Sequence, residues 1–127
     1  AVDAHAAADK LAKLTGDKAG PSYPQTELAE RLKIVAKLLK AGVGARVFYT
    51  QQSGYDTHSQ QQFSHSTLLS EFAGAVAAFF ADLKASKLDD RVTLLSFSEF
   101  GRTIKENGSA GTDHGTAGAC FVAGPTV

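Results

Sequence analysis

Arg91-Val92-Thr93-Leu94-Leu95-Ser96-Phe97 is the stretch on which the fold reading turns. It is a nearly continuous apolar and β-branched run, the pattern of a strand covered on both faces, as in a parallel sheet. Working backwards, residues 60–86 carry a helical pattern in which Leu68, Phe72, Val76, Phe79 and Leu83 form one stripe, widened by Leu69 and Phe80. Arg46-Val47-Phe48-Tyr49-Thr50-Gln51 reads as an earlier strand. Strand, long helix and strand predict one right-handed βαβ unit. Working forwards, no helical pattern separates Phe97 from Gly118, and residues 118–123 read as a third strand. Parallel neighbours need a crossover, so this strand is expected to run antiparallel to its partner. Upstream, Ser22-Tyr23-Pro24-Gln25 offers a helix start, Leu28, Leu32, Val35 and Leu39 recur at helical spacing, and Gly42 and Gly44 stop the helix. Residues 1–20 read as a peripheral helix and turn, and residues 21–127 as an α/β core that carries the functional loops.

Bulk properties narrow the function classes. Thirteen basic and thirteen acidic side chains cancel over 127 residues, with 43% hydrophobic and 20% charged content. No basic stripe argues for nucleic acid and no polybasic cluster for anionic lipid. The longest apolar run falls short of the ~20 residues of a membrane span. Cys120 is the single cysteine, which excludes an intrachain disulfide and reads as a small buried hydrophobe. No signal-peptide pattern opens the chain. It begins Ala1-Val2-Asp3 and stops soon after the last strand, so a single partial domain, cut at both ends, is expected.

The chemistry-bearing residues lie in three loops. Gly54-Tyr55-Asp56-Thr57-His58 places an acid and a histidine two residues apart, a spacing that aims both side chains to one side of extended backbone. Taken alone, they also read as turn and helix caps. Ser98-Glu99-Phe100-Gly101-Arg102-Thr103 follows the apolar strand, where Glu99 needs a cation, either Arg102 or a metal. Gly111-Thr112-Asp113-His114-Gly115 adds a second acid–histidine pair, in which both ligate one ion or one orients the other. Three acids and two histidines at one sheet edge point to a divalent metal held by Asp56, His58, Glu99, Asp113 and His114. Arg102 is the candidate catalytic residue, suited to offset negative charge on a substrate. His65 reads as a core histidine or a support to the site. Ser98 and Thr103 read as hydrogen-bonding groups rather than nucleophiles.

These motifs, with Gln60 or Gln61 and Asn107-Gly108, resemble a bacterial family catalogued as domain of unknown function 1501, regarded as sulfatase-like within the alkaline phosphatase superfamily. The resemblance spans residues ~25–125. It implies a three-layer α/β/α sandwich, here incomplete, with a mostly parallel sheet and one antiparallel strand. It also implies zinc, manganese or calcium, and cleavage of a phosphate or sulfate ester on a small molecule or glycan. Asp56, His58 and His114 stand where the superfamily has metal ligands, and Glu99 where relatives have an aspartate followed by a histidine, here Phe100. Relatives carry their nucleophile and a further metal aspartate on an earlier strand, and many carry an export signal. The expectation is therefore a metal-dependent ester hydrolase of which this chain is the carboxyl-proximal part. The alternative is a non-catalytic module that binds a metal or an anionic glycan.

Overall fold

The computed structural model describes residues 21–125 and Val127; the expected peripheral helix, in which His5 reads as exposed, lies outside them. The described elements are α1 (Glu27–Ala41), α2 (Gln61–Ala85), a 3-10 turn (Asp89–Arg91), β1 (Leu94–Ser96), β2 (Gly101–Arg102), β3 (His114–Gly115) and β4 (Phe121–Ala123). The chain divides into two units, one of residues 21–52 and 71–88 among those described, the other of residues 53–70 and 89–127.

In the first unit, α1 begins at Thr26 and not at Ser22. Tyr23 precedes Pro24, and a residue before proline is pushed out of the helical region. Thr26 is extended, and its hydroxyl accepts from the Ala29 N–H at 3.4 Å. Glu27 and Glu30 then place negative charge in the first turn. Gly42 closes the helix in the left-handed region, with φ 60° and its N–H on the Leu39 carbonyl. Tyr23, Leu28, Ala29, Leu32, Ala36, Ala75, Phe79 and Leu83 are buried. Asp82 is buried with them, at 4% exposure, and the stripe pattern gave no hint of it. Its carboxylate accepts from Tyr23 Oη at 3.1 Å and pairs with Lys40 Nζ at 2.6 Å. A buried charge needs such partners, because desolvation otherwise dominates. Burial and the adjacent Asp82 carboxylate push the Tyr23 phenol well above its ordinary value. By length and composition α2 could cross a membrane. Yet it carries Glu71 and Asp82, which are taken up by Gln52 and Lys40.

The expected α/β/α sandwich with a mostly parallel sheet is not what forms. The described strands make two small sheets, β1–β4 and β2–β3, and both pairs are antiparallel. Residues 46–51 form no strand, so the expected βαβ unit does not form among the described residues. The physical reason is that apolar patterning reports the wish for burial, not the identity of a pairing partner. Phe48, Tyr49, Thr50 and Gln51 instead line a groove with Arg31, Ile34, Val35 and Leu38 of α1. The run at 91–97 was expected to be covered on both faces. Only Leu94–Ser96 is strand, and Leu95 and Phe97 stand 59% and 66% exposed. The antiparallel relation between this strand and the last one is found, with Leu94, Leu95 and Ser96 opposite Ala123, Val122 and Phe121. Cys120 is exposed, not buried, because it precedes β4 in an uncovered segment.

Two outcomes follow from the Asp82 cluster. Asp82→Ala strands Lys40 and the Tyr23 hydroxyl, and is expected to lower unfolding free energy by about 2–4 kcal/mol in urea titration. Tyr23 keeps its proton in the folded chain, whereas an unfolded tyrosine loses it near pH ~10. The folded state then binds more protons, so stability falls as pH rises above that point. Chemical denaturation across that range should show a smaller fall for Tyr23→Phe; identical slopes would contradict the assignment.

Candidate metal centre

The site is built in the second unit by one antiparallel pair and one close backbone approach. In β2–β3, Gly101 faces Gly115 and Arg102 faces His114. A side chain on either glycine would meet the opposite backbone, so this crossing admits only glycine. Thr103 N–H donates to the Asp113 carbonyl at 2.8 Å, which continues the pairing into the loop. Asn107 organises that loop. Its Oδ1 accepts from the N–H groups of Ser109 and Gly111 at 2.9 and 3.1 Å. Its Nδ2 donates to the His58 carbonyl and to Asp113 Oδ1, at 3.0 and 3.1 Å. Gly111 is buried, and a Cβ there would collide with the carbonyl group of His58 and the nitrogen of Ser59. The loop also receives the start of α2. Gln60 N–H donates to Ser109 O at 3.0 Å, and Gln61 N–H to Ala110 O at 2.8 Å. Helix starts leave such donors without intrahelical partners, and here the loop accepts them.

This scaffold brings four nitrogens and two carboxylates together. Asp56 Oδ1 lies 2.9 Å from His58 Nε2, 2.8 Å from His114 Nε2 and 2.9 Å from Arg102 Nη1. The other ring nitrogen of His58, Nδ1, sits 3.1 Å from Asp113 Oδ1. Asp56, His58 and His114 each offer a ligand atom, all within 4.8 Å of one another, and all three residues are exposed. The imidazole rings of His58 and His114 are 5.0 Å apart, and Phe100 stacks on His114 at 4.5 Å and 19°. The hydrogen bond from His114, and then those of Arg102 and the charge of His58, hold Asp56 below the usual carboxylate range. Asp113 is lowered by the amide of Asn107 first and by His58 second. Both carboxylates are thus ionised at neutral pH, ready to accept cations.

Each residue singled out in the sequence has a place. Asp56, His58 and His114 converge. Asp113 meets the far nitrogen of His58, the position of a carboxylate that orients a ligand. Glu99 is exposed in the bend between β1 and β2, and lies outside the convergent trio. Among the described residues no ion pair joins Glu99 to Arg102. The guanidinium is taken by Asp56 and by Thr112, with Nε to Oγ1 at 2.9 Å and Nη2 to the carbonyl at 2.5 Å. His65 is half-buried and edge-on to Tyr55 at 5.9 Å. Thr103 Oγ1 is a hydrogen-bonding group, accepting from the Asp113 N–H at 3.2 Å. Sequence reasoning missed the roles of Asn107, Gly111 and Thr112. Asn107-Gly108 carried a signal, since an asparagine that bonds backbone two residues on makes such a turn.

Over residues 1–127 the chain matches the family described as Protein of unknown function (DUF1501), and it belongs to that family. No curated protein and no solved structure matches it.

Gly111→Ala is expected to force the loop off the His58 backbone. It should destabilise by about 1–3 kcal/mol and separate the two histidine rings. Gly108 has open space around it, and Gly108→Ala is expected to be near neutral. Paired denaturant titrations check this; equal midpoints for the two variants would show that the close approach is not a constraint.

Proposed function

We propose that Asp56, His58 and His114 hold one divalent metal ion, and that this centre serves the hydrolysis of a phosphate or sulfate ester. The observation that carries the reading is the convergence of His58 Nε2 and His114 Nε2 on Asp56 Oδ1, with Asp113 on the other nitrogen of His58. Structural salt bridges seldom need two histidines on one carboxylate oxygen, whereas a metal centre needs such a donor set with one ring fixed from behind. Two imidazole nitrogens and a carboxylate suit zinc or manganese; calcium prefers oxygen donors throughout.

A bound divalent ion supplies Lewis-acid polarisation of an ester oxygen. The chain's own groups do the rest. Asp113 holds the His58 ring so that Nε2 faces the centre. Phe100, stacked on His114, fixes the plane of the second ring. Arg102 stands beside Asp56 with a guanidinium whose planar fork matches a phosphoryl or sulfuryl group. Sulfatase-like chemistry, and a place for this chain in the carboxyl-proximal part of such an enzyme, belong to this proposal through the family's motifs. A non-catalytic metal- or glycan-binding role is the second reading. It is favoured by the engagement of Arg102 with Thr112 and Asp56, which gives the guanidinium partners within the chain.

Elemental analysis of the purified protein is expected to find about one equivalent of zinc or manganese, lost in Asp56→Ala and His114→Ala. Negligible metal in all three would reject the centre. Assay with aryl phosphate and aryl sulfate separates hydrolysis from binding alone. Glu99→Gln is expected to leave metal content unchanged, because Glu99 lies outside the convergent trio.

A further inference from the structure

We propose that Arg102 and the metal compete for Asp56, so that metal binding releases Arg102 Nη1 to capture the oxyanion of the ester. This rests on the metal reading above and deepens it into a coupling between two ligands.

The geometry is specific. A single carboxylate oxygen, Asp56 Oδ1, receives two imidazole nitrogens and one guanidinium nitrogen, all at 2.8–2.9 Å. Of these, only the guanidinium is always a cation. It is the internal counter-charge of Asp56, occupying the role that a divalent ion would take. A cation bound by His58, His114 and Asp56 would also repel Arg102, since like charges at such distances disfavour each other. Arg102 need not travel to yield. Its inner edge is fixed, with Nε on Thr112 Oγ1 and Nη2 on the Thr112 carbonyl. Thr112 is held in turn, its hydroxyl donating to Gln61 Oε1 at 2.7 Å. The Arg102 side chain is 18% exposed and that of Asp56 59%, so the partner that can swing is Asp56. A small rotation of the carboxylate toward an ion therefore frees Nη1 while the rest of the guanidinium stays anchored. The freed donor, which shares Asp56 Oδ1 with the two imidazole nitrogens, would then be within reach of a phosphate or sulfate oxygen bound at the centre. Metal and anion each favour the other, by the same factor.

Zn2+ affinity measured by competition with a chromogenic chelator tests this, with and without inorganic sulfate. Wild-type protein is expected to bind Zn2+ more tightly when sulfate is present. Arg102→Met, with the competing cation gone, is expected to bind Zn2+ about tenfold tighter in the absence of sulfate, and to lose the sulfate effect. If Arg102→Met does not fold, the wild-type chain still decides, through the sulfate effect and the side-chain N–H resonance of Arg102. Nη1 exchange should quicken on Zn2+ addition and slow again with sulfate. Zn2+ binding in wild type that is indifferent to sulfate, or equal in folded Arg102→Met, overturns the coupling and leaves the metal centre standing. Failure of both proteins to bind Zn2+ removes the metal centre itself, and the coupling with it.

Discussion

The second unit depends on the approach of Gly111 to the backbone of His58. At that point there is no room for a side chain. The contact lets the loop of residues 107–112 lie against residues 57–61, where it accepts the first N–H groups of α2 and donates Thr112 N–H to the Thr57 carbonyl. Asn107 spans the same gap with its amide, tying the His58 carbonyl to the Asp113 carboxylate. Everything chemical then follows from register. Asp113 reaches the far nitrogen of His58, and His114, opposite Arg102 in the β2–β3 pair, reaches Asp56. The polar groups of the centre are exposed, so their order comes from backbone bonds and glycine contacts rather than from burial.

Charge explains how the two carboxylates share this small region. Asp56 and Asp113 lie close to one another through His58, and two free carboxylates there would repel. Arg102 neutralises the first, and the Asn107 amide and His58 stabilise the second. Because the pairs are exposed, water screens them and each contributes little to stability. Their significance lies in geometry: four nitrogens and two carboxylates have been brought to one place with defined directions. In the first unit the same residue classes serve stability instead. Asp82 is buried against Tyr23 and paired with the half-buried Lys40.

Part of this was legible in the sequence. Helical spacing located both helices, and Gly42 marked the end of α1 as its φ requires. The start of α1 was displaced because the restraint of Pro24 on Tyr23 outweighs a serine in capping position. Asp-x-His and Asp-His were recognisable as donors because few residue types bind metals. Of the sheets, only the antiparallel pairing of the 91–97 run with the last strand was legible. A β-branched run such as 46–51 states that a segment can be extended, but pairing is non-local, and nothing within the run names its partner. Glu99 was expected at the centre, and lies outside the convergent trio. That expectation came from a sheet edge, whereas the trio is brought together by Gly111 and by the β2–β3 register. Asp82 was invisible because a carboxylate in an apolar stripe looks like an interruption until Lys40 and Tyr23 are known to face it.

The stacking of Phe100 on His114, only 19° from coplanar, has a practical consequence. A benzene ring at that separation imposes a ring current on the imidazole lying over its face, which shields the carbon-bound protons of His114 and moves them upfield. Among the described residues no phenyl ring stacks on His58, whose ring neighbour is the tilted imidazole of His114. The centre therefore carries its own reporter, able to distinguish its two histidines by chemical shift without any label being introduced.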